Sequence, residues 1–276
     1  MTNSPTKNKS QVTDADASVP QDIAELPGGG RMPLLGLGTW QIKGPQATDA
    51  TRWALEAGYR HLDTATVYGN EKEVGAGLTD SGIAREEVFV TTKFPPEQIG
   101  HEEETLQASL SKLGVDSLDL WLVHAPGSSQ ENLAIWPHLV AAREQGLTKD
   151  IGVSNYSLGE IDEITKATGV APAVNQIRWS PLLFDQEVLD GHRERGVVLE
   201  GYSALRGGTL DHPVIRDIAT NLARTPPQVI IRWHLQHGVV VIPKSTQQER
   251  IAANADIADF TLADEDMAAL DGLGQA

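Results

Sequence analysis

The chain alternates between short apolar runs and amphipathic helical patterns, and this alternation limits the possible folds more than any other feature. Eight runs have the character of strands, at about residues 34–37, 59–62, 88–92, 118–123, 151–153, 173–175, 197–200 and 239–242. Between them apolar residues recur at helical spacing, as at Leu106, Leu110 and Leu113. Pro226 and Pro227 suit the first turn of the last long helix. Repeated strand and helix units build parallel sheets, and eight of them predict a (β/α)8 TIM barrel.

The segment before the first barrel strand predicts two further features. Residues 1–20 are polar and lack the apolar centre of a secretion signal, so we expect a disordered N-terminal tail. Residues 23–26 and 32–35 flank a Gly-rich stretch and predict an N-terminal β-hairpin. We expect residues 21–276 to form a single barrel domain, since barrels of this type commonly have about 250 residues.

Composition excludes several classes of function. The chain has 276 residues and no cysteine, which excludes disulfides and thiolate chemistry and fits a cytoplasmic protein. No apolar run approaches the roughly 20 residues that span a bilayer. A formal net charge of −16 argues against nucleic acid or an anionic membrane as a partner. An anionic cofactor would therefore need a local cluster of Lys and Arg.

Four side chains near the ends of successive strand-like runs form a candidate catalytic set, Asp63, Tyr68, Lys93 and His124. The carboxyl ends of parallel barrel strands meet at one face, where barrel enzymes carry their active sites. A tyrosine phenol keeps its proton at neutral pH, and a neighbouring lysine lowers its pKa and helps it donate that proton. Asp63 would orient Lys93, and His124 would stabilise negative charge on a substrate oxygen. The set predicts reduction of a carbonyl.

These four residues also fit other interpretations. Taken singly, Tyr68 fits a loop aromatic and His124 fits a buried core histidine. An unrelated metal-dependent hydrolase could use His61, Asp63, Asp119 and His124 as ligands. Side chains alternate along a strand, however, so Asp119 and His124 would not obviously converge.

A dinucleotide-binding Rossmann fold is disfavoured by the only Gly-x-Gly near a strand. Gly36-Leu37-Gly38 is followed by Thr-Trp-Gln, without the third glycine of that motif. The sequence therefore predicts a tight turn after the first barrel strand here, and no pyrophosphate loop.

Several motifs resemble those of a known family in their order and spacing, namely HLDTATVYGNE, TTK, LVHAP, GVSNY, VNQ, GYSAL and IPKSTQQERIAANADI. From about residue 34 to residue 272 the chain resembles the aldo-keto reductases, and especially bacterial diketogluconate and methylglyoxal reductases. The resemblance implies a monomeric, NADP(H)-dependent oxidoreductase with a small-molecule carbonyl substrate. A channel β-subunit-like binding protein of the same fold, with weak redox activity, is the alternative.

Carbonyl reduction needs a hydride donor, and a nicotinamide supplies one. The resemblance implies that Ser154, Asn155 and Gln176 contact the carboxamide, whose polar atoms their side chains can match. It implies that the Tyr202 ring stacks on the nicotinamide. The further cofactor contacts that we expect are Gly38, Thr39, Asp63, Ser203 and Leu205.

The turn after the eighth strand predicts a phosphate site. Lys244, Ser245 and Arg250 supply two cations and a hydroxyl near a helix N-terminus, which suits the 2′-phosphate of NADP. NADP is therefore favoured over NAD. The resemblance places Asn254 on the adenine, although Ala253 replaces a glutamate that the family often has.

The substrate pocket is predicted from fewer residues. Trp40, Tyr68, Phe94, His124 and Trp179 are the candidates for its lining. Relatives usually have more aromatic residues after the lysine and after the histidine, and they commonly continue beyond the equivalent of residues 273–276. We therefore expect an open pocket that accepts a range of aldehydes, dicarbonyls and ketones.

Overall fold

Short strands, buried on nearly every side chain, form the centre of the fold in the computed structural model, which describes residues 22–275. Eight of them form one parallel sheet in which each strand pairs with the next along the chain. The strands are β1 (Ile23–Glu25), β2 (Arg31–Pro33), β3 (Leu37–Gly38), β4 (His61–Asp63), β5 (Phe89–Phe94), β6 (Leu118–Val123), β7 (Thr148–Ser154), β8 (Val174–Arg178), β9 (Val198–Tyr202) and β10 (Val240–Val241).

The sheet closes between its first and last strands, β3 and β10. Leu35 forms a parallel bridge with Val241, and the Gly36 amide donates to the Val241 carbonyl at 2.9 Å. A Cβ atom on Gly36 would lie 2.5 Å from His61 Nδ1, and one on Gly38 would lie 2.7 Å from a backbone oxygen beyond β10. The prediction of a turn over Gly36-Leu37-Gly38 was therefore wrong. The glycines let neighbouring strands approach closely where the barrel closes.

Helices cover the outside of the barrel, as expected for repeated strand and helix units. In the described residues they are α1 (Pro45–Glu56), α2 (Glu71–Asp80), α3 (Glu102–Leu113), α4 (Ser129–Glu144), α5 (Leu158–Thr168), α6 (Gln186–Glu194), α7 (Pro213–Asn221), α8 (Pro226–Gln236), α9 (Gln248–Ala255) and α10 (Asp264–Asp271). Pro226 and Pro227 open α8 as predicted. None of these helices is long and apolar enough to cross a membrane.

The barrel and its N-terminal hairpin were predicted correctly from the sequence. All eight barrel strands lie within a few residues of their expected positions, and β1 pairs antiparallel with β2. The expectation of one helix per strand was too simple. Two helices, α7 and α8, follow β9, and α9 and α10 follow β10. The predicted disordered tail lies outside the described residues.

One buried carboxylate attaches the hairpin to the barrel. Asp150, on β7, accepts hydrogen bonds from the Gly28 amide at 2.6 Å and the Gly30 amide at 2.9 Å. A Cβ on either glycine would lie within 2.6 Å of an Asp150 carboxylate oxygen. Burial raises the pKa of Asp150, while the two amides act in the opposite direction. The turn between β1 and β2 therefore depends on this side chain.

Replacement of Asp150 should destabilise the fold. Asp150→Ala leaves two backbone amides without their acceptor, which we expect to lower the free energy of unfolding by about 1–3 kcal/mol. Urea denaturation measures the loss. Asp162→Ala is the control, because Asp162 is exposed and its pair with Arg195 lies at the surface, where such pairs contribute little to stability. Equal losses in the two variants would contradict the role given to Asp150.

Candidate active site

The structure brings the four predicted catalytic side chains together at the carboxyl end of the barrel. Asp63 is the last residue of β4, Lys93 lies near the end of β5, and His124 directly follows β6. Tyr68 lies in a 3-10 turn, Thr66–Tyr68, between β4 and α2. Asp63, Tyr68 and His124 line a cavity of about 1050 Å³, and Lys93 is buried beneath it.

Lys93 is fully buried, and all three of its N–H groups have partners. Its Nζ donates to Asp63 Oδ1 at 2.6 Å, to the Thr64 carbonyl at 2.9 Å and to the Tyr68 hydroxyl at 3.5 Å. Burial is the largest single effect and lowers the pKa of Lys93, but the charge and hydrogen bond of Asp63, together with Tyr68 and Glu200, raise it overall. Lys93 therefore remains a cation next to the phenol.

The phenol of Tyr68 lies between a cation and an imidazole. Its ring packs edge-on against the His124 ring, with centroids 5.6 Å apart. Burial raises the pKa of Tyr68, and the Lys93 charge lowers it by a smaller amount. The sequence led us to expect a net lowering, which the structure does not show for the free chain. The pKa of Tyr68 is therefore raised overall, and the Lys93 charge is placed where it would stabilise a phenolate.

His124 is a neutral imidazole at physiological pH. Burial, followed by the positive charge of Lys93, lowers its pKa to about 4. A neutral imidazole carries one N–H that can donate a hydrogen bond without bringing a second positive charge close to Lys93. His124 can therefore hold a substrate oxygen beside the Tyr68 hydroxyl.

A row of polar side chains continues the site across β7, β8 and β9. The Gln176 amide donates to Asp63 Oδ1 at 2.8 Å, which ties this row to the ion pair. Asn155 donates to Ser154 Oγ at 3.0 Å and accepts from the Tyr202 hydroxyl at 2.9 Å. Asn155 and Ser203 have left-handed backbones with φ of 63° and 56°. Such strained residues are typical of functional sites, and here they direct polar groups into the cavity.

The opposite end of the cavity is cationic. Four residues predicted to bind the phosphate and the adenine line it together, on the loop after β10 and on α9, namely Lys244, Ser245, Arg250 and Asn254. In the described chain the only acidic residue of the lining is Asp63, whose charge is matched by Lys93. A chain with a net charge of −16 therefore concentrates positive charge inside this cavity.

The residues present fit a nicotinamide dinucleotide that carries a 2′-phosphate. Amide and hydroxyl groups lie near the catalytic set, the Tyr202 ring offers a flat surface, and cations lie at the far end. Gly38 adds a smooth wall, since a side chain there would meet the backbone of the closing strand.

Three of the residues predicted to bind the cofactor or the substrate do not line the cavity. Phe94 is fully buried and packs edge-on against Trp121, with ring centroids 6.0 Å apart. Trp179 is buried against Phe184. The reason is the alternation of side chains: Phe94 follows Lys93, which points into the barrel, so Phe94 faces the helices. Both predictions for the substrate pocket are therefore corrected. Thr39 is also buried, and its hydroxyl donates to the Asp63 carbonyl at 2.9 Å.

Trp40 does line the mouth of the cavity, as predicted. It is 44% exposed, and the Arg206 guanidinium lies 4.8 Å from its ring centroid. Arg206 also donates to Gln41 Oε1 at 3.0 Å. The loop after β9 thus contacts the loop after β3 across the mouth.

Sequence reasoning missed several residues of this region. Arg178, at the end of β8, and Arg206, in the loop after β9, line the cavity but were not predicted, because neither belongs to a recognisable motif. Glu200 is a buried acid in β9, and its isolation in the apolar run Val-Val-Leu-Glu-Gly was a signal that could have been used. Asp119, weighed as a metal ligand, instead pairs with Lys149 and Arg85 at 2.7 Å each.

Comparisons with known proteins agree with this geometry. A model of the aldo/keto reductase family matches residues 34–275. An aldo-keto reductase of Mycolicibacterium vanbaalenii is 45% identical over 248 residues, which cover 88% of this chain and 89% of that protein. A glyoxal reductase of Bacillus subtilis is 40% identical over 92% of this chain and 94% of its own length.

A solved structure is also similar to this chain in its fold. A Bombyx mori aldo-keto reductase in complex with NADP superposes with a TM-score of 0.85 at 31% identity, over 94% of each chain. The chain described here belongs to the aldo/keto reductase family. It is an oxidoreductase, as its motifs predicted.

Removal of the Asp63 charge should destabilise the protein. Asp63→Asn leaves the buried Lys93 ammonium without its counter-charge, and breaking a buried pair in this way costs about 3–5 kcal/mol. Urea denaturation of the variant measures the loss. The double variant Asp63→Asn/Lys93→Met removes both charges and should regain part of the stability. If the single variant loses less than about 1 kcal/mol, the pair does not have the importance given to it here.

Proposed function

We propose that this protein is an NADPH-dependent carbonyl reductase in which Tyr68 is the general acid. The observation that carries the proposal is the position of the Lys93 ammonium, 2.6 Å from Asp63 and 3.5 Å from the Tyr68 hydroxyl, beneath a cavity lined by His124. This arrangement places a proton donor, the charge that supports it and a second hydrogen-bond donor at one point. It is suited to developing negative charge on an oxygen.

The cofactor has a complementary place in the same cavity. When bound, the nicotinamide supplies a hydride to the carbonyl carbon. Ser154, Asn155 and Gln176 would hold its carboxamide, and Tyr202 would pack on its ring. The positioning of Gln176 is rigid, because the same side chain donates to Asp63. The polar row therefore links cofactor orientation to the ion pair.

Proton transfer is assigned to this chain's own side chains. The proton leaves Tyr68 Oη for the substrate oxygen, and the Lys93 charge stabilises the phenolate that remains. The neutral His124 donates to the same oxygen and fixes its direction. Asp63 keeps Lys93 charged and in place, so each member of the set has a separate task.

The cationic end of the cavity supports a preference for NADPH. Lys244 and Arg250 are exposed cations at the start of α9, and Ser245 adds a hydroxyl. A 2′-phosphate would replace water at these groups with charge-assisted hydrogen bonds. Ser203, Leu205 and Asn254 would contact the rest of the dinucleotide.

The substrate is proposed to be a small aldehyde or dicarbonyl. The mouth of the cavity carries the partly exposed Trp40, which provides apolar contact but does not enclose a large molecule. The similarity to a glyoxal reductase supports this class. Turnover of methylglyoxal, an aromatic aldehyde, a keto-sugar and a keto-ester would test it, and a preference of several orders of magnitude for the keto-ester would contradict it.

Loss of the Tyr68 hydroxyl should abolish most of the activity. In Tyr68→Phe the proton donor is absent, so kcat for carbonyl reduction should fall by about 10²- to 10⁴-fold. Binding of NADPH, measured by fluorescence titration, should be unchanged because the cofactor contacts remain. Turnover at the wild-type rate would refute the role of Tyr68.

Replacement of Arg250 should discriminate between the two nicotinamide cofactors. Arg250→Ala removes a charge-assisted hydrogen bond, so KM for NADPH should rise about 10- to 100-fold while KM for NADH changes little. Steady-state kinetics with both cofactors measures the difference. Arg216→Ala removes an equally exposed arginine from α7, outside the cavity lining, and is the matched control. Similar effects on both cofactors would place the 2′-phosphate elsewhere.

A further inference from the structure

The barrel interior beneath the proposed catalytic residues contains one acidic side chain that has no role in the proposed reaction. Glu200 lies in the middle of β9 and its side chain is completely buried. Neither of its carboxyl oxygens has a hydrogen-bond partner in the described part of the chain. A buried carboxylate without donors is costly, so this side chain needs a physical explanation.

Its position follows from the period of the strands. Glu200 is in register with Gln176 on β8, which points into the barrel, and it precedes Tyr202 by two residues on the same face. His61 likewise precedes Asp63 by two residues on β4, and His61 Nε2 lies 3.8 Å from Glu200 Oε1. Glu200 and His61 therefore form a layer directly below the residues that carry the chemistry.

The groups that face Glu200 offer it little compensation for a negative charge. From β4 it faces Asp63 as well as His61, from β5 it faces Lys93, and Tyr68 lies above it. The Gln176 amide on β8 also faces it, but that amide donates to Asp63 Oδ1 at 2.8 Å. The Lys93 ammonium is already committed to Asp63, to a carbonyl and to Tyr68. An ionised Glu200 would add an unmatched negative charge beneath a pair that is otherwise neutral.

The orientation of His61 points to a proton on Glu200. His61 Nδ1 lies 3.3 Å from the Pro33 carbonyl, which can only accept, so Nδ1 carries the ring proton in the neutral imidazole. Nε2 is then an acceptor and faces Glu200. Nε2 can accept from the Thr91 hydroxyl, 3.4 Å away, so His61 offers no N–H to Glu200 Oε1 at 3.8 Å, and the carboxyl can donate toward this nitrogen only when it is protonated. Burial, aided by the charge of Asp63, raises the pKa of Glu200 to about 8, while Gln176 and Lys93 oppose this rise. Burial also lowers the pKa of His61 to about 4.

We propose that Glu200 is a positioning residue of the reductase that works only in its protonated form, by keeping the interior beneath Tyr68, Lys93 and Asp63 electrically neutral. The inference rests on the proposed role of Tyr68 as the acid. A negative charge on Glu200 would make the phenol a weaker acid and would oppose the negative charge that develops on the substrate oxygen. Carbonyl reduction would therefore decline as Glu200 loses its proton, while the fold and the cofactor contacts remain.

The pH profile of reduction tests this role. The single-turnover rate with pre-bound NADPH and methylglyoxal is measured from about pH 6.5 to about pH 9, and each variant is compared with its own value at the lower pH. Wild-type protein should lose about tenfold, because one pH unit above the pKa leaves about a tenth of a group protonated. Glu200→Gln, which has the same shape and cannot ionise, should lose less than about twofold over this range.

A matched variant shows whether any buried carboxylate has this effect. Glu71 is also buried, and it accepts a hydrogen bond from Thr92 at 2.7 Å outside the barrel interior. Glu71→Gln should keep the wild-type profile. An identical decline in Glu200→Gln and wild type would overturn the proposal.

A second measurement does not depend on activity. Infrared spectroscopy of the protein without cofactor should show a protonated carboxyl band at neutral pH that disappears near pH 8 and is missing from Glu200→Gln. Absence of such a band from the wild-type protein would also overturn the proposal. Failure of the proposed function is distinct, since it would appear as retained turnover in Tyr68→Phe. The carboxyl band would not be affected by that result.

Discussion

The ion pair between Lys93 and Asp63 is the interaction on which the rest of the site depends. A lysine buried in a barrel interior keeps its charge only if each of its N–H groups has a partner, and here all three do. Because one of the partners is the Tyr68 hydroxyl, the same ammonium that needs compensation lies beside the proposed acid. Buried ion pairs contribute little to the free energy of unfolding compared with apolar packing. The presence of this pair is therefore explained by where it places the Lys93 charge, and not by a gain in stability.

Charges are arranged differently on the protein as a whole, in the cavity and in the interior around this pair. The chain as a whole is strongly acidic, yet four cations line the cavity, namely Arg178, Arg206, Lys244 and Arg250. An anionic cofactor approaching the protein meets repulsion over most of the surface and attraction at the mouth, which favours productive encounters. Beneath the cavity the charges are balanced instead, with Lys93 matched by Asp63.

The sequence predicted the barrel because its signal is local and repeated. Each strand is a short apolar run between helical patterns, and polar residues at the ends of these runs identified the catalytic set. Contacts between distant segments could not be predicted in this way. Glu200 and His61 are about 140 residues apart in the chain. They share a layer only because of the register of all the strands that lie between β4 and β9 in the sheet.

The wrong predictions for individual pocket residues have a different cause. Phe94 and Trp179 were assigned to the pocket because they are near the ends of strands, but a shift of one residue reverses the face on which a side chain lies. Their neighbours Lys93 and Arg178 point to the interior or to the cavity instead. The two helices beyond the expected eight also escaped prediction, since nothing in the strand pattern requires a second helix after β9 or β10.

The alternation along β5 has a consequence for how this enzyme can change. Thr91 and Lys93 face the interior, where Thr91 lies 3.4 Å from His61 and Lys93 holds the ion pair. Thr92 and Phe94 face the helices, where Thr92 bonds to Glu71 and Phe94 packs on Trp121. Selection for catalysis and selection for stability therefore act on alternate residues of the same strand. The outward residues can vary together with the helices that cover them while the chemistry stays constant, and the inward ones cannot.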